Sequence, residues 1–258
     1  MNPPTRFNVL GVGIHAINLS LASEQVIAAA RGQSPSYVCF CDVNSVSCAQ
    51  RDPNHLAILN RSFLSTPDGM PLVWLGRWAG HKTTGRVYGP ELMLEICRAS
   101  VRTELTHFFY GGGPGTADAL VTNLRARFPG IKIAGTHCPP FRPPTETEMC
   151  ELEKRIHELR PNFFWVGLST PKQEAFMAAY SQRLEVPVML GVGAAFDFIS
   201  GRVSQAPRWI QRSGFEWFWR LCAEPRRLAP RYFKNNPLFV LRILAQFLRL
   251  RKYPSDFS

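Results

Sequence analysis

The chain is predicted to be an α/β protein whose mainly parallel sheet is covered by helices on both faces. Short apolar runs rich in β-forming residues alternate with helical patterns up to about residue 200, as in parallel sheets that helices cover. Apolar residues make up 45% of the 258 residues, which is enough for one sizeable core. Beyond residue 200 the pattern changes to helices punctuated by prolines. We therefore predict a domain over 1–200 and a helical appendage over 201–258.

The first half of the chain supplies the opening elements. Residues 7–17 are predicted to be extended, and Ser20 to cap a helix that continues to residue 31. The elements predicted after them are a short buried strand over 37–41, a helical stretch over 45–60, an apolar run over 62–65, a turn over 66–71 with a helix after it, and a helix over 91–102.

The second half repeats this alternation. Pro171 is expected at the first position of a helix, with Thr170 and Gln173 forming a capping box. Ligands of such sheets bind at the carboxyl ends of the strands, so the loops there should carry the chemistry. The predicted strands cover 106–110, 131–135, 162–167 and 186–190, and the predicted helices include one that ends near 127 and one over 146–159.

Positive charge is concentrated in the last fifth of the chain. The net charge is +11, and residues 202–258 hold twelve arginines and lysines against three acids, so nine of the eleven positive charges lie there. The predicted helix over 238–250 places Arg242, Gln246 and Arg249 on one face and apolar residues around the rest. A basic tail of this kind indicates an anionic partner, and we favour an anionic membrane surface over a helix packed only on its own core.

Other partners and compartments are less well supported by the sequence. Nucleic acid is disfavoured, because the basic residues are interleaved with lipid-compatible apolar residues and no reader motif is present. The seven scattered cysteines favour free thiols in a reducing compartment. A zinc set of Cys39, Cys41, Cys48 and His55 is disfavoured because the usual C-x-x-C spacing is missing. With no signal peptide and no spanning segment recognised, a cytoplasmic protein with peripheral membrane contact is expected.

Glycine-rich segments raise two possibilities for binding a nucleotide. The segment GVGIHA (11–16) matches the spacing of a dinucleotide fingerprint, which leaves an NAD-type oxidoreductase as an alternative function. However, no acid follows at the usual distance unless Asp42 takes that role. The segment GGGPGT (111–116) lies between a strand and a helix, where backbone N–H groups can face a phosphate. A tight turn that needs glycine would explain it equally well.

Two further loops carry polar side chains at strand ends. Asp68 lies on a sharp turn after an apolar run, where a general base could take a proton from a hydroxyl group. The same Asp-Gly pair is also a common turn signal. Lys172 and Gln173, on the first turn of a helix, are able to bind a sugar or a phosphate, or only to cap the helix.

Together these segments resemble the WecG/TagA/CpsF family of bacterial glycosyltransferases. The resemblance follows the family's order and covers nearly the whole chain. The segments that carry it are TPDGMPLVW (66–74), RVYGPELM (86–93), FFYGGGPGTADAL (108–120), GTHCPPF (135–141), WVGLSTPKQE (165–174), GVGAAFDFISGRVSQAPRWIQRSGFEWFWRL (191–221) and EPRRLAPRY (224–232).

The resemblance implies a Rossmann-like domain followed by a helical appendage that associates with membrane. It also implies transfer of a sugar, such as N-acetylmannosamine or its uronic acid, from a UDP-sugar donor to a polyprenyl-diphosphate-linked saccharide. The reaction would belong to cell-surface polysaccharide synthesis at the cytoplasmic face of the plasma membrane. No cofactor and no metal are expected, and the sequence has no Asp-x-Asp motif. The sugar, the acceptor saccharide and a homo-oligomeric state are left open.

Roles for individual residues also come from this resemblance. Asp68 corresponds to the family's proposed catalytic base, and Arg220, Arg227 and Arg231 resemble tail arginines that close over the site and neutralise diphosphate. The resemblance implies substrate-binding roles for Arg86, Gly112, Gly113, Gln173 and Asp197. We predict that Asp42, Lys172 and Gly193 bind substrate as well.

Three positions depart from the family pattern. Phe40 and Asp42 stand where the family usually has Thr and Asn, and an added carboxylate would repel a phosphate by roughly 1 kcal/mol at 4 Å in water. Pro230 stands where the family often has Arg, and is expected to break the helix and to remove one cation. A non-catalytic basic protein that binds membrane through residues 202–258 is the remaining alternative.

Overall fold

The computed structural model describes residues 4–254 and Phe257, without the side chains of Arg212 and Arg227. It is an α/β structure with one six-stranded sheet, one two-stranded sheet and helices on both faces of the larger sheet, so the predicted fold class is confirmed. Of the helices in these residues, none combines the length and the apolar character needed to cross a bilayer.

The strands and helices follow the order of the chain. The strands are β1 (Arg6–Val9), β2 (Val12–His15), β3 (Ser36–Cys41), β4 (Leu64–Pro67), β5 (Thr106–Gly111), β6 (Lys132–His137), β7 (Phe163–Gly167) and β8 (Val188–Gly191). The helices are α1 (Leu19–Ala30), α2 (Val43–Ala49), α3 (Pro53–Arg61), α4 (Met70–Trp78), α5 (Gly89–Ser100), α6 (Thr116–Arg127), α7 (Glu146–Leu159), α8 (Lys172–Leu184), α9 (Ala195–Ile199), α10 (Arg208–Ser213), α11 (Glu216–Ala223) and α12 (Pro225–Phe247).

These elements form two compact units, each assembled from separate stretches of chain. Unit 1 comprises Met1–Asn18, Phe40–Tyr88 and Gln205–Ser258, and unit 2 comprises Leu19–Cys39 and Gly89–Ser204. Strand β3 passes from unit 2 into unit 1 between Cys39 and Phe40. The boundary predicted near residue 200 stays a prediction, but the chain re-enters unit 1 close to it, at Gln205.

The large sheet has the strand order β4-β3-β8-β7-β5-β6. The pairs β3/β8, β8/β7, β7/β5 and β5/β6 are parallel, with Phe108 opposite Phe164 where β5 pairs with β7. Nearly all residues of β5, β7 and β8 are buried, as expected for parallel strands covered on both faces. The carboxyl ends of these strands therefore lie along one edge of unit 2 and hold its glycine-rich loops.

A buried histidine is built into the core of unit 2. The indole Nε1 of Trp165 donates to His107 Nδ1 (3.1 Å), and His107 Nε2 lies 2.7 Å from the Ser100 hydroxyl, which donates to the carbonyl of Cys97. His107 also stacks on Phe163, with ring centroids 4.9 Å apart. Burial lowers the pKa of His107 to about 3, so the ring stays neutral.

The segment Gly11–Ala16 forms a β-hairpin, not a turn from strand to helix. Strands β1 and β2 pair antiparallel, and the two residues between them, Leu10 and Gly11, have φ values of 52° and 87°. Positive φ at both positions is the geometry of a tight hairpin turn. A dinucleotide fingerprint needs a glycine loop that leads into a helix, so this segment cannot serve as one, and the NAD alternative loses its only support.

Helix α12 corrects the expectation for Pro230. It continues from Pro225 to Phe247 with Pro230 and Pro237 inside it, so the expected break at Pro230 is wrong. Each internal proline removes one N–H donor. Burial of Leu228 and Phe239 on the same helix offsets that loss.

The C-terminal part of α12 is tied to the hairpin. The amide of Gln246 accepts from the N–H of Leu10 (2.9 Å) and donates to the carbonyl of Asn8 (3.0 Å). Gln246, predicted on one helix face with Arg242 and Arg249, therefore hydrogen-bonds to the hairpin. Several apolar residues of α12 and its end stay exposed, among them Val240, Leu241, Leu244, Phe247 and Leu248.

Two smaller expectations also need correction. The stretch over 45–60 is two helices, because Asp52 caps a new helix whose first residue is Pro53. The capping box expected at Thr170 does not form. Thr170 instead donates to the Glu174 carboxylate (2.9 Å), and the capping box that does form is at Thr145 and Glu148.

All seven cysteines are free, as expected. Cys39, Cys41 and Cys97 are buried, whereas Cys138, Cys150 and Cys222 are exposed.

Replacing His107 should flatten the acid dependence of stability. The unfolded chain takes up a proton on His107 near pH 6.5, whereas the native state takes it up only near pH 3. The free energy of unfolding therefore falls as pH drops below 6.5, by up to about 1.4 kcal/mol per pH unit. His107→Asn should remove this part of the slope between pH 6 and 4 in urea titrations. Equal slopes in the two proteins would contradict the assignment.

Candidate active site

A cleft of about 490 Å³ lies within unit 1. The loops after β3 and β4, helix α4, the segment that ends at Tyr88 and helices α10 to α12 form its walls. The polar and charged lining residues are Asp42, Asn44, Asp68, Arg86, Tyr88, Gln211, Glu216, Arg220, Arg231, Tyr232, Asn235 and Asn236.

Asp68 lies at the centre of the polar part of the cleft. Strand β4 ends at Pro67, and the Asp68 N–H donates to the carbonyl of Cys41 at the end of β3 (2.9 Å), which fixes the turn. The side chain is 24% exposed, but its Oδ1 is covered and accepts no hydrogen bond from the described residues. Burial raises the pKa of Asp68 to about 7, helped by Asp42 and Glu216 and opposed by Arg86 and Arg220.

Arg86 is shared between two carboxylates. Its Nε donates to the backbone carbonyl of Asp68 (2.5 Å), and its Nη1 to the carbonyl of Gln211 (3.2 Å). Its Nη2 lies 2.6 Å from Glu216 Oε2 but 3.8 Å from Asp68 Oδ1. The guanidinium also stacks 4.1 Å above the Tyr88 ring. Arg86 therefore pairs more closely with Glu216 than with Asp68, and its charge only partly opposes the rise in the pKa of Asp68.

Glu216 is the functional candidate that the sequence interpretation missed. It is the first residue of α11, its side chain is 12% exposed, and it is one of only three acids among the twelve cations of residues 202–258. An acid in so basic a segment is a usable signal for a buried ion pair. Tyr88 was missed as well. Its hydroxyl is buried and has no hydrogen-bond partner among the described residues.

The tail contributes cations to this cleft. Arg231 Nη2 donates to the Tyr232 hydroxyl (3.2 Å), whereas its buried Nε has no acceptor in the described part of the chain. Arg220 lines the same cleft. Burial opposes its charged form, but the neighbouring Tyr232, Tyr88, Glu216 and Asp42 raise its pKa. The structure thus brings Arg220 and Arg231 together with Asp68, whereas the Arg227 side chain lies outside the described residues.

Asp42 lines the cleft but is already engaged. Its Oδ1 accepts from the Ser45 N–H (2.8 Å) and the Ser45 hydroxyl (3.1 Å), which caps the N-terminus of α2. The neighbouring departure from the family pattern, Phe40, is buried. Asp42 therefore has a structural role, while its role towards a substrate stays a prediction.

The remaining predicted residues lie in unit 2 at the ends of β5, β7 and β8. Gly112 has a φ of 75°, and a side chain there would meet Thr116 at 2.9 Å, so the turn requires glycine. Gln173 Nε2 donates to the carbonyl of Gly191 (2.6 Å), while its buried Oε1 accepts no hydrogen bond from the described residues. A Cβ at Gly193 would lie 3.3 Å from that Oε1.

Gly113, Lys172 and Asp197 belong to the same edge of unit 2. The backbone carbonyl of Asp197 accepts from the N–H of Arg202 (3.0 Å), which closes the turn after α9. Arg202 also donates to the carbonyl of Pro114. Lys172 is exposed at the start of α8. Gly112, Gly113, Lys172, Gln173, Gly193 and Asp197 therefore form one group at the strand ends.

Within residues 4–254, no group of three or more His, Cys, Asp or Glu side chains is arranged to hold a metal ion. The positive charge that faces Asp68 in the cleft is supplied by arginine side chains.

Comparison with known proteins gives one consistent result. The profile of the glycosyl transferase WecG/TagA/CpsF family matches residues 7–253. Proteins named N-acetylglucosaminyldiphosphoundecaprenol N-acetyl-beta-D-mannosaminyltransferase are among the similar sequences. The one from Bacillus subtilis (strain 168) is 28% identical over 198 residues, which cover 77% of this chain and 75% of that protein. The one from Staphylococcus aureus (strain MRSA252) is 23% identical over 249 residues, which cover 96% and 95%.

Glu216→Gln should lower the pKa of Asp68 from about 7 towards the ordinary range of a carboxyl group. The change removes a negative neighbour and releases Arg86 towards Asp68. Carbon-13 NMR titration of protein labelled at its aspartate carboxyl groups would measure it. Glu224→Gln, which removes an acid of the same tail outside the cleft, is the matched control and should leave Asp68 unchanged. An unchanged pKa in Glu216→Gln would contradict the shared role of Arg86.

Proposed function

The chain belongs to the WecG/TagA/CpsF family of glycosyl transferases and is a hexosyltransferase, and we propose that it moves N-acetylmannosamine or a related hexose from a UDP donor. The acceptor we propose is a saccharide linked to polyprenyl diphosphate, since the named relatives act on N-acetylglucosaminyldiphosphoundecaprenol. The observation that carries the proposal is the position of Asp68, a carboxyl group with a raised pKa in a cleft that also contains arginines and an apolar wall.

Asp68 is proposed as the general base. The acceptor hydroxyl attacks the anomeric carbon of the donor sugar, and the bond from that carbon to the β-phosphate oxygen of UDP breaks. The hydroxyl proton passes to the Asp68 carboxylate, and UDP leaves with the electron pair of the broken bond. A base works best when its pKa is near the operating pH, and the pKa of about 7 meets that condition.

The tail arginines are proposed to neutralise the charge that develops on the leaving UDP. Arg220, Arg227 and Arg231 are the candidates. Arg231 is the best supported of them, because its Nε is buried in the cleft with no acceptor among the described residues and can donate to a phosphate oxygen. Donors placed where charge develops are commonly the largest single contribution to catalysis. Charge neutralisation by arginine would let transfer continue in the presence of a chelator.

The strand ends of unit 2 are proposed to hold the donor. Gly112 and Gly113 expose backbone between β5 and α6, where a helix N-terminus favours phosphate. The buried amide oxygen of Gln173, next to Gly193, has no donor among the described residues and is proposed to accept from a sugar hydroxyl. Lys172 and Asp197 complete this proposed set. Asp42 and Arg86 are the substrate-binding residues that we propose within the cleft.

Attachment to the inner face of the plasma membrane is also proposed. Residues 202–258 carry nine of the eleven positive charges, which an anionic membrane surface would attract. The same segment exposes large apolar side chains, and aromatic residues of this kind favour the lipid–water boundary. The exposed residues are Trp209, Phe215, Trp217, Phe218, Trp219, Phe233, Leu238, Val240, Leu241, Leu244, Phe247, Leu248 and Leu250.

Asp68→Asn should lower kcat/KM by about 100-fold to 10,000-fold, because an amide cannot accept the hydroxyl proton. In the unmodified protein kcat/KM should rise with pH and level off above about 7, as the carboxyl group ionises. The measurement is UDP release from UDP-N-acetylmannosamine with a lipid-linked N-acetylglucosaminyl diphosphate as the acceptor. A full single-turnover rate in Asp68→Asn would show that Asp68 is not the base.

Folding provides the control for that variant. The pKa of Asp68 is raised from 3.8 to about 7, so its contribution to stability is present below pH 3.8 and lost as pH rises through 7. At pH 8 the buried carboxylate is therefore a cost, and Asp68→Asn should unfold at the same denaturant concentration or a higher one. A variant that is inactive and clearly less stable at pH 8 would contradict this account of the site.

Arg231→Gln should lower kcat by about tenfold to a hundredfold, because it removes a cation that faces the leaving diphosphate. Arg226→Gln is the matched control. Arg226 is exposed on the same helix and does not line the cleft, so both variants remove one charge from the membrane-facing tail. Steady-state kinetics on vesicles of fixed anionic lipid content would compare the two. Equal effects would assign Arg231 to membrane attraction and not to the site.

A further inference from the structure

The cleft continues past Asp68 into an apolar groove between helices α4 and α12. From α4, the lining residues are Met70, Pro71, Trp74, Leu75 and Trp78. From α12, they are Arg231, Tyr232, Asn235, Asn236, Phe239, Val240, Ile243 and Leu244. Both sets recur at intervals of four residues, so each helix presents one continuous stripe to the groove.

The α4 stripe is apolar throughout and starts next to Asp68, whereas the α12 stripe changes from polar to apolar along the groove. Helix α4 begins two residues after Asp68 and reaches Trp78 at its end. On α12 the four groove residues over 231–236 are polar, and the four over 239–244 are apolar. The C-terminal ends of the two helices meet where Trp78 and Phe247 pack edge to face, with ring centroids 6.3 Å apart. The groove therefore has a charged end at Asp68 and an apolar end at Trp78.

The polar end has donors that the described protein leaves unused. The Nε of Arg231 and the hydroxyl of Tyr88 are both buried there without partners among the described residues. Asn235 is held in place, because its Oδ1 accepts from Arg51 (2.9 Å) and its Nδ2 donates to Asn44 (3.2 Å). Fixed donors of this kind suit an anionic group that lies between the base and the apolar end.

We propose that this groove binds the first isoprene units of the acceptor's lipid chain, with the acceptor's diphosphate in the polar half of the groove and the sugar hydroxyl at Asp68. This inference rests on the proposed function, which supplies an acceptor with a sugar, a diphosphate and an apolar chain in that order. The order matches the polarity of the groove from Asp68 to Trp78. From residue 239 to residue 247 the apolar half extends about 12 Å, so it holds only the start of the chain.

A lipid chain explains the apolar half better than a free sugar phosphate does. Val240 and Leu244 are exposed, and Trp74 is partly exposed, although all three line a cleft that contains the candidate base. A water-soluble acceptor would leave this apolar surface in contact with water. A chain that leaves the groove at Trp78 would be able to continue into lipid, so the enzyme would take the acceptor without removing all of it from the membrane.

The test compares two exposed leucines of the same helix. Leu244 lines the groove and is 51% exposed, whereas Leu241 does not line it and is 62% exposed. Both can be changed to Asn without opening a core. The acceptors are N-acetylglucosaminyl diphosphates that carry either a farnesyl chain or a methyl group, assayed in solution without vesicles so that adsorption to a membrane does not contribute.

Leu244→Asn should raise KM for the farnesyl acceptor about tenfold and leave KM for the methyl acceptor unchanged. Leu241→Asn should leave both values unchanged. The groove assignment is overturned if the two variants behave alike. It is also overturned if Leu244→Asn weakens both acceptors equally, or if the unmodified protein shows no preference for the longer chain.

A binding measurement separates this inference from the proposed transfer. Quenching of tryptophan fluorescence would give the Kd of farnesyl diphosphate and of methyl diphosphate without any turnover. Suppose that neither acceptor is glycosylated, that farnesyl diphosphate binds more tightly, and that only Leu244→Asn abolishes this preference. The proposed lipid groove would then be supported and the proposed transfer reaction would be wrong. If transfer occurs but the Kd does not depend on chain length, the proposed lipid groove would be wrong and the proposed transfer reaction would be supported.

Discussion

The site in unit 1 depends on one arginine that two carboxylates share. Arg86 lies 2.6 Å from Glu216 and 3.8 Å from Asp68, and three of its N–H groups are directed at fixed partners. If Arg86 paired closely with Asp68, the pKa of that carboxyl would fall and the group would be a weak base. By pairing with Glu216, Arg86 stays neutralised while it still orients the backbone at Asp68. Burial is the main cause of the raised pKa of Asp68, and Glu216, a residue from the tail, adds to it.

This arrangement makes the tail part of the site and not an accessory to it. Helix α11 supplies Glu216 and Arg220, and α12 supplies Arg231 and the apolar stripe of the groove. Gln246 holds the C-terminal part of α12 to the β1–β2 hairpin, and Asn235 holds its middle to α2. A tail fixed at two points can present charge and apolar surface in a defined register, which a loosely attached basic segment could not do.

Much of the fold was predictable because parallel strands leave a simple pattern. Runs such as 106–110 and 162–167 are apolar throughout, and β5 and β7 lie there. The hairpin at Gly11 was not predictable from spacing, since glycines at this interval fit a nucleotide loop and a tight turn equally well. The prediction of a helix break at Pro230 was wrong for a related reason. The cost of a proline in a helix is local, whereas the burial that offsets it depends on residues distant in the sequence. Asp68 and Arg86 were predicted from the family resemblance. Glu216 was missed, because its partner Arg86 lies 130 residues away and an acid in a basic segment does not identify that partner.

The burial that suits Asp68 to its proposed role as the base also lowers the stability of the protein. A carboxyl group whose pKa is raised by burial favours the protonated native state, so each ionised molecule near neutral pH carries a cost in folding free energy. Some polar groups in the cleft have no hydrogen-bond partner among the described residues, and they add to this cost. A buried donor without an acceptor loses its hydrogen bond to water and gains none in the protein. Burial along α12 and the hydrogen bonds of Gln246 and Asn235 lie outside the reacting centre and stabilise the same unit. Stability gained at those positions offsets the cost of the atoms of Asp68, Tyr88 and Arg231 that have no hydrogen-bond partner among the described residues.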